Sequence, residues 1–125
     1  MSSPASEIGR RGEDAVCEYL LASGHSILER NWRKGHLEVD IISLAEDGVH
    51  FVEVKSRVAP AAADPADSVR SAKRKNITRA ALAYMAQAGE GIGDMEIWLD
   101  VAGVIFDGSL LTIDYMPGAY IPLYY

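Results

Sequence analysis

Apolar and small residues recur at helical spacing over residues 6–23, with Ile8, Gly12, Ala15, Val16, Tyr19, Leu20 and Ser23 on one stripe. Gly24, just past the last turn, is a natural stop. The spacing then changes. Residues 26–33 read as a strand, and LEVDIISLAEDGVHFVEVKSR, residues 37–57, reads as two more strands joined at Asp47-Gly48. A Pro/Ala loop covers residues 58–66. Helical spacing returns from about Ser68 or Ser71 to Ala88, with Ile77, Ala80, Ala81, Tyr84, Met85 and Ala88 on one face. Gly89, Gly91 and Gly93 end that helix. Residues 95–106 predict a fourth strand, Asp107-Gly108 a turn, and residues 110–115 a fifth strand. The order α-β-β-β-α-β-β predicts an α/β fold, one mixed sheet of about five strands with helices packed on it. Residues 1–5 read as a loose end, and the apolar stretch 117–125 as packing on the body or on a partner.

The stretch 37–57 departs from a simple core pattern. Both strands are apolar enough to be buried, yet they carry Glu38, Asp40, Glu53 and Lys55. Buried charges are costly unless they pair or bind an ion. A two-residue Asp-Gly loop would pair Glu46 with Val49, hence Ile42 with Glu53 and Asp40 with Lys55. Alternation then places Glu38, Asp40 and Ile42 on one face, and Phe51, Glu53 and Lys55 on the same face of the next strand. Asp40, Glu53 and Lys55 would lie within roughly 5–8 Å of one another between Cβ atoms.

Two carboxylates on adjacent strands can hold a hard cation such as Mg²⁺, with the Val54 carbonyl as a further oxygen ligand. A cation there would acidify a water and offset charge on a phosphoryl transition state. Lys55 beside it would orient that water or stabilise the developing charge. The same residues also fit a cross-strand Lys55–Asp40 ion pair on a solvated face. Glu13 lies at the border of the first helix's apolar stripe, placed either to lean over the core or to face water.

Composition narrows the partners only a little. At 125 residues the chain is long enough for one domain with a real core. Its single cysteine, Cys17, fits a reducing cytoplasm, and no apolar run approaches the roughly 20 residues of a membrane span. The net charge of −6 argues at first sight against a polyanion. However, all 12 Lys and Arg lie at or before Arg79, so the first two thirds of the chain can still present a basic face.

Several segments together resemble a known family. GRRGEDAVCEYLLASGHSILERNWR, LEVDII, FVEVKSR, a lysine-bearing start to the second helix and WLDVAGV are similar, in this order, to the YraN-like proteins of bacteria. Those proteins resemble in turn PD-(D/E)XK nucleases and archaeal Holliday-junction resolvases. The resemblance implies a restriction-endonuclease-like core and a site for Mg²⁺ or Mn²⁺. By position it makes Asp40 and Glu53 metal ligands, with Val54 beside them, Lys55 the catalytic lysine, and Glu13 the acidic residue supplied by the first helix. It implies DNA, branched or junction DNA included, as the substrate, and leaves RNA open. A junction enzyme would be expected to act as a symmetric dimer. Two departures stand out: Leu37 occupies a place usually held by glycine, and Trp98-Leu99-Asp100 stands where Arg-Phe-Asp is usual. A non-catalytic nucleic-acid-binding module and a structural or interaction protein therefore stay open beside a nuclease.

Other signals are weaker. Lys73 and Arg74 on the second helix, with Arg33 and Arg57 on the strands, are candidate phosphate contacts. His25, His36 and His50 lack zinc-ligand spacing and read as surface or loop histidines. Gly9-Arg10-Arg11-Gly12 reads as close helix packing through its glycines. Trp32 and Trp98 read as core or interface.

Overall fold

The computed structural model describes residues 4–60 and 70–119, without the side chains of residues 4–6 and 70–75. Helix α1 (Pro4–Ala22) leads into strands β1 (Ser26–Lys34), β2 (Leu37–Ala45) and β3 (Gly48–Val58). Helix α2 (Arg70–Ala88) and a short 3-10 turn (Ile92–Asp94) precede β4 (Ile97–Asp107) and β5 (Leu110–Met116). The five strands form one sheet in the order β1-β2-β3-β4-β5. β3 and β4 are parallel and every other neighbouring pair is antiparallel. This is the α/β layout and element order that the sequence predicts. α1 starts two residues earlier than its periodicity suggested, at Pro4, a residue whose fixed φ suits a first turn.

Each helix covers one face of the sheet. The α2 stripe of Ile77, Ala80, Ala81, Tyr84 and Met85 packs on Trp32, Val39, Ile42, Phe51 and Leu99. Val16, Cys17 and Leu20 of α1 pack on Ile41, Val52, Ala102, Val104 and Phe106 of the other face. Gly12 lets α1 approach β3, because a Cβ there would sit 1.8 Å from Ser56 Oγ and 3.0 Å from Ser56 Cβ. Gly9 has nothing within 4 Å, so only one of the two glycines serves helix packing. Among the described residues, no helix is long and apolar enough to cross a membrane.

The β2–β3 register corrects the expected one by two residues. Ala45 pairs with Gly48, Ile42 with Phe51 and Ile41 with Val52, so the turn is Glu46-Asp47. The reason lies in Gly48, which belongs to the strand. Its φ is 138°, and a Cβ on it would stand 2.4 Å from the Glu96 carbonyl oxygen. The chain entering β4 passes so close there that only glycine fits, and Val49 N–H donates to that same carbonyl at 2.9 Å. A shift of two preserves the faces. It sets Asp40 level with Glu53 rather than with Lys55.

Beyond β5 the described residues run to 119. Gly118 N–H donates to Asp100 Oδ1 at 2.8 Å, and Gly118 lies against the Trp98 ring. The expectation for residues 120–125 lies outside the described residues.

Candidate functional site

β2 and β3 pair only as far as Ile41 and Val52, and then part. β2 continues alongside β1, and β3 continues alongside β4. The sheet therefore forks, and a cleft of about 400 Å³ opens there. His36, Glu38, Val39 and Asp40 line one arm, Val52, Glu53 and Val54 the other, and Asn76 and Ile77 of α2 close it. Three of the residues singled out from sequence, Asp40, Glu53 and Val54, thus share one cleft.

The fork coincides with a break in alternation. Val39 packs in the α2-side core and Ile41 in the α1-side core, although residues two apart on a strand normally share a face. Asp40 lies between them, and the register with β1 sets Asn31 opposite it. Asn31 has φ 52°, the left-handed region that Asn tolerates better than other non-glycine residues.

Asp40 Oδ2 accepts the backbone N–H of Val54 at 2.8 Å, so the carboxylate occupies a backbone position left open by the fork. Burial pushes the Asp40 carboxyl up to about 6 despite that hydrogen bond. The charges of Glu13, Glu53 and Glu38 push in the same direction. Glu13 reaches this site from α1. Burial also raises its pKa, opposed by the nearby Arg30 guanidinium and by a hydrogen bond from Asn31. Glu13 Oε1 is buried and has no hydrogen-bond partner among the described residues. Such an orphaned acceptor is costly unless a proton or cation satisfies it.

This donor set is all oxygen and suits a hard divalent cation, which uses one or two carboxylates and retains water. Among the described residues, no three Asp, Glu, His or Cys side chains converge closely enough to enclose an ion.

The remaining candidates are placed differently. Lys55 and Arg57 line a second cleft on the α2 side of β3, β4 and β5, next to the fork. Arg33 is exposed and ion-pairs with Glu38 at 3.4 Å. The side chains of Lys73 and Arg74 lie outside the described residues.

A buried polar cluster at the other end of the sheet escaped the sequence reading. His50 is 3% exposed, which corrects its reading as a surface or loop histidine. His50 Nδ1 lies 2.6 Å from Asp100 Oδ2 and its Nε2 lies 2.7 Å from Asp47 Oδ1. Carboxylates accept hydrogen bonds, so this pair of partners favours the protonated ring, in which both nitrogens donate. Burial works against that charge, but the two carboxylates outweigh it and raise the His50 pKa. Asp100, 0% exposed, also accepts from Tyr115 Oη and Gly118 N–H. His25 sits edge-on to His50 with its Nδ1 2.9 Å from Ser43 Oγ, and Trp98 stacks on the other side of His50. His36, exposed in the turn between β1 and β2, and His25, in the loop before β1, meet that expectation. The signal for the cluster was present: Asp100 interrupts the apolar run IWLDVAGV just as Asp40 interrupts LEVDII.

Fold and site together define an α/β protein whose mixed five-stranded sheet forks around partly buried carboxylates. The chain belongs to the family described as "Uncharacterised protein family UPF0102", whose model matches residues 12–104, in keeping with the YraN-like resemblance. It is 43% identical over 98 residues to a UPF0102 protein of Chlorobium chlorochromatii (strain CaD3), covering 78% of this chain and 74% of that one. It is 38% identical over 116 residues to a UPF0102 protein of Bacteroides thetaiotaomicron, covering 93% of each chain. A UPF0102 protein of Myxococcus xanthus (strain DK1622) is 37% identical over 114 residues, 91% of this chain and 89% of that one.

Proposed function

We propose that this protein is a divalent-metal-dependent phosphodiester hydrolase of the nuclease class that acts on DNA. One observation carries the reading: Asp40 is half-buried where the sheet forks, with Glu13, Glu38 and Glu53 as its charged neighbours, and its carboxyl is pushed up to about 6. A protein that needed only a stable core would have an apolar residue there. Carboxylates kept together against their own repulsion suit a site that takes up a cation.

Asp40 and Glu53, with the Val54 carbonyl, would hold Mg²⁺ or Mn²⁺, and Glu13 would reach the ion through water that it retains. The group, when bound, supplies Lewis acidity toward the phosphate and a water of lowered pKa. Val54 N–H steadies Asp40 through Oδ2, which leaves Oδ1 for a ligand. Asn31 steadies Glu13. Lys55, two residues beyond Glu53 on the same strand face, offsets charge that develops on the phosphate. The resemblance to resolvases favours branched DNA over other forms.

A second reading, a non-catalytic module that holds nucleic acid, is favoured by the placement of Lys55 in the neighbouring cleft. Incubation of the purified protein with single-stranded, duplex and junction DNA in Mg²⁺ or Mn²⁺ separates the two. Cleavage lost in Asp40→Ala and Glu53→Ala supports the hydrolase. Salt-dependent binding without cleavage supports the module.

A further inference from the structure

The second cleft has a volume of about 210 Å³ and a composition unlike the first. Val101, Val104, Ile105 and Met116 give it an apolar lining, and Lys55, Arg57, Thr112 and Asp114 add polar groups. Gly103 lies in the middle of it. In the sheet Gly103 pairs with Lys55 on one side and with Asp114 on the other.

Nothing in the backbone requires glycine at 103. It is absent from the residues with positive φ. A Cβ built on it would meet Asp114 O at 3.7 Å and Asp114 Cβ at 4.0 Å, both ordinary contacts. Glycine inside an interior strand sacrifices stability through chain entropy and lost packing. Gly12 and Gly48 repay that loss by admitting a helix and a neighbouring chain. At Gly103 the space that a side chain would fill is instead part of the cleft. A strand glycine without a backbone reason often marks the close approach of a ligand.

The position of the cleft indicates which ligand. Glu53, Lys55 and Arg57 alternate onto one face of β3 at steps of roughly 6–7 Å. Glu53 lines the acidic fork, while Lys55 and Arg57 line the second cleft. A DNA strand with its phosphate at the fork continues past these two cations onto an apolar floor. A paired base cannot enter a cleft in a sheet face, whereas an unpaired one can lay its ring on such a floor.

We propose that the second cleft is a subsite for an unpaired nucleotide of the DNA strand, its base on the floor at Gly103, Ile105 and Met116 and its phosphate at Lys55 and Arg57. Thr112 and Asp114 offer hydrogen bonds to the edge of the base. The subsite rests on the function proposed above for the direction of the strand, and it makes single-stranded or flapped DNA the preferred substrate over continuous duplex.

Gly103→Val tests this directly, because valine fills the floor, suits a strand and leaves the fork untouched. The probe is a fluorescein-labelled single-stranded oligodeoxynucleotide, titrated with the full chain by anisotropy in EDTA so that no cleavage occurs. The expected result is affinity about tenfold weaker in Gly103→Val, the size of one lost base contact. Met116→Glu, at an exposed position, is expected to weaken binding at least as much by putting a charge into the apolar floor on which the base lies, and it decides the matter if Gly103→Val does not fold. Wild-type affinity in both variants, or no binding of the oligonucleotide by the wild type, overturns the subsite. Mn²⁺ calorimetry on the same variants keeps the two ideas apart: loss of oligonucleotide affinity without any Mn²⁺ binding would retain the subsite and remove the metal-dependent reading.

Discussion

Asp40 Oδ2 accepts the N–H of Val54 at 2.8 Å where β2 and β3 part, so a side-chain carboxylate takes over from a strand partner. The sheet stays hydrogen-bonded at its fork, and a carboxylate is fixed in a half-buried position.

Asp40→Asn keeps an acceptor for Val54 and removes the charge. Because the folded-state pKa is raised from 3.8 to about 6, the folded chain holds the proton more tightly than the unfolded one. Wild-type stability therefore falls as pH rises between those two values. In EDTA at pH 7.5 the variant is expected to be more stable by about 1–3 kcal/mol in urea unfolding. The gain should vanish below about pH 4, where Asp40 is protonated in both states.

Asn31 combines a left-handed backbone with a hydrogen bond to Glu13. Asn31→Gly relieves the backbone and loses the amide. Mn²⁺ affinity is expected to drop about tenfold, as for other partners of metal ligands, with little change in stability. Asn31→Ala loses the amide as well and is expected to cost a further 1–2 kcal/mol or so through its strained φ. Calorimetry and urea unfolding on the pair separate the two contributions.

His50 joins the β2–β3 turn to β4 through Asp47 and Asp100. Its raised pKa means that its stabilising contribution is complete below about pH 6.5 and is lost as pH rises through the folded-state value. His50→Ala leaves Asp100 buried without its cation, at a cost of about 3 kcal/mol at pH 6. The gap between wild type and variant should narrow toward pH 9. Ring-proton NMR should show His50 titrating above the ordinary histidine value.

Gly9 and Gly12 look alike in sequence and should behave oppositely. Gly9→Ala meets open space and is expected to stabilise α1 by about 0.5–1 kcal/mol. Gly12→Ala meets Ser56 and is expected to destabilise the protein by roughly 1 kcal/mol, after its helix-propensity gain is set against overpacking. Thermal unfolding of the two variants side by side checks both.

Local pattern was enough to read the element order and the apolar faces of both helices, because hydrophobic period and glycine stops are local properties. It was also enough to mark Asp40 and Glu53, since a charge in an apolar strand is visible in a window of a few residues. What escaped depends on distant chain. The β2–β3 register was misread because Gly48 looks like a turn residue, and only the passage of Glu96 beside it shows otherwise. Asn31 carried no visible role until the register set it opposite Asp40. His50 and Asp100 lie 50 residues apart, and neither alone foretells the buried pair.

The central claim is that the carboxylates of the fork exist to hold a divalent cation. Calorimetric titration of the metal-free full chain with Mn²⁺, wild type beside Asp40→Asn, tests it most directly. The account predicts saturable binding to the wild type that Asp40→Asn abolishes while the variant stays folded. No binding to the wild type, or equal binding to both, would contradict it.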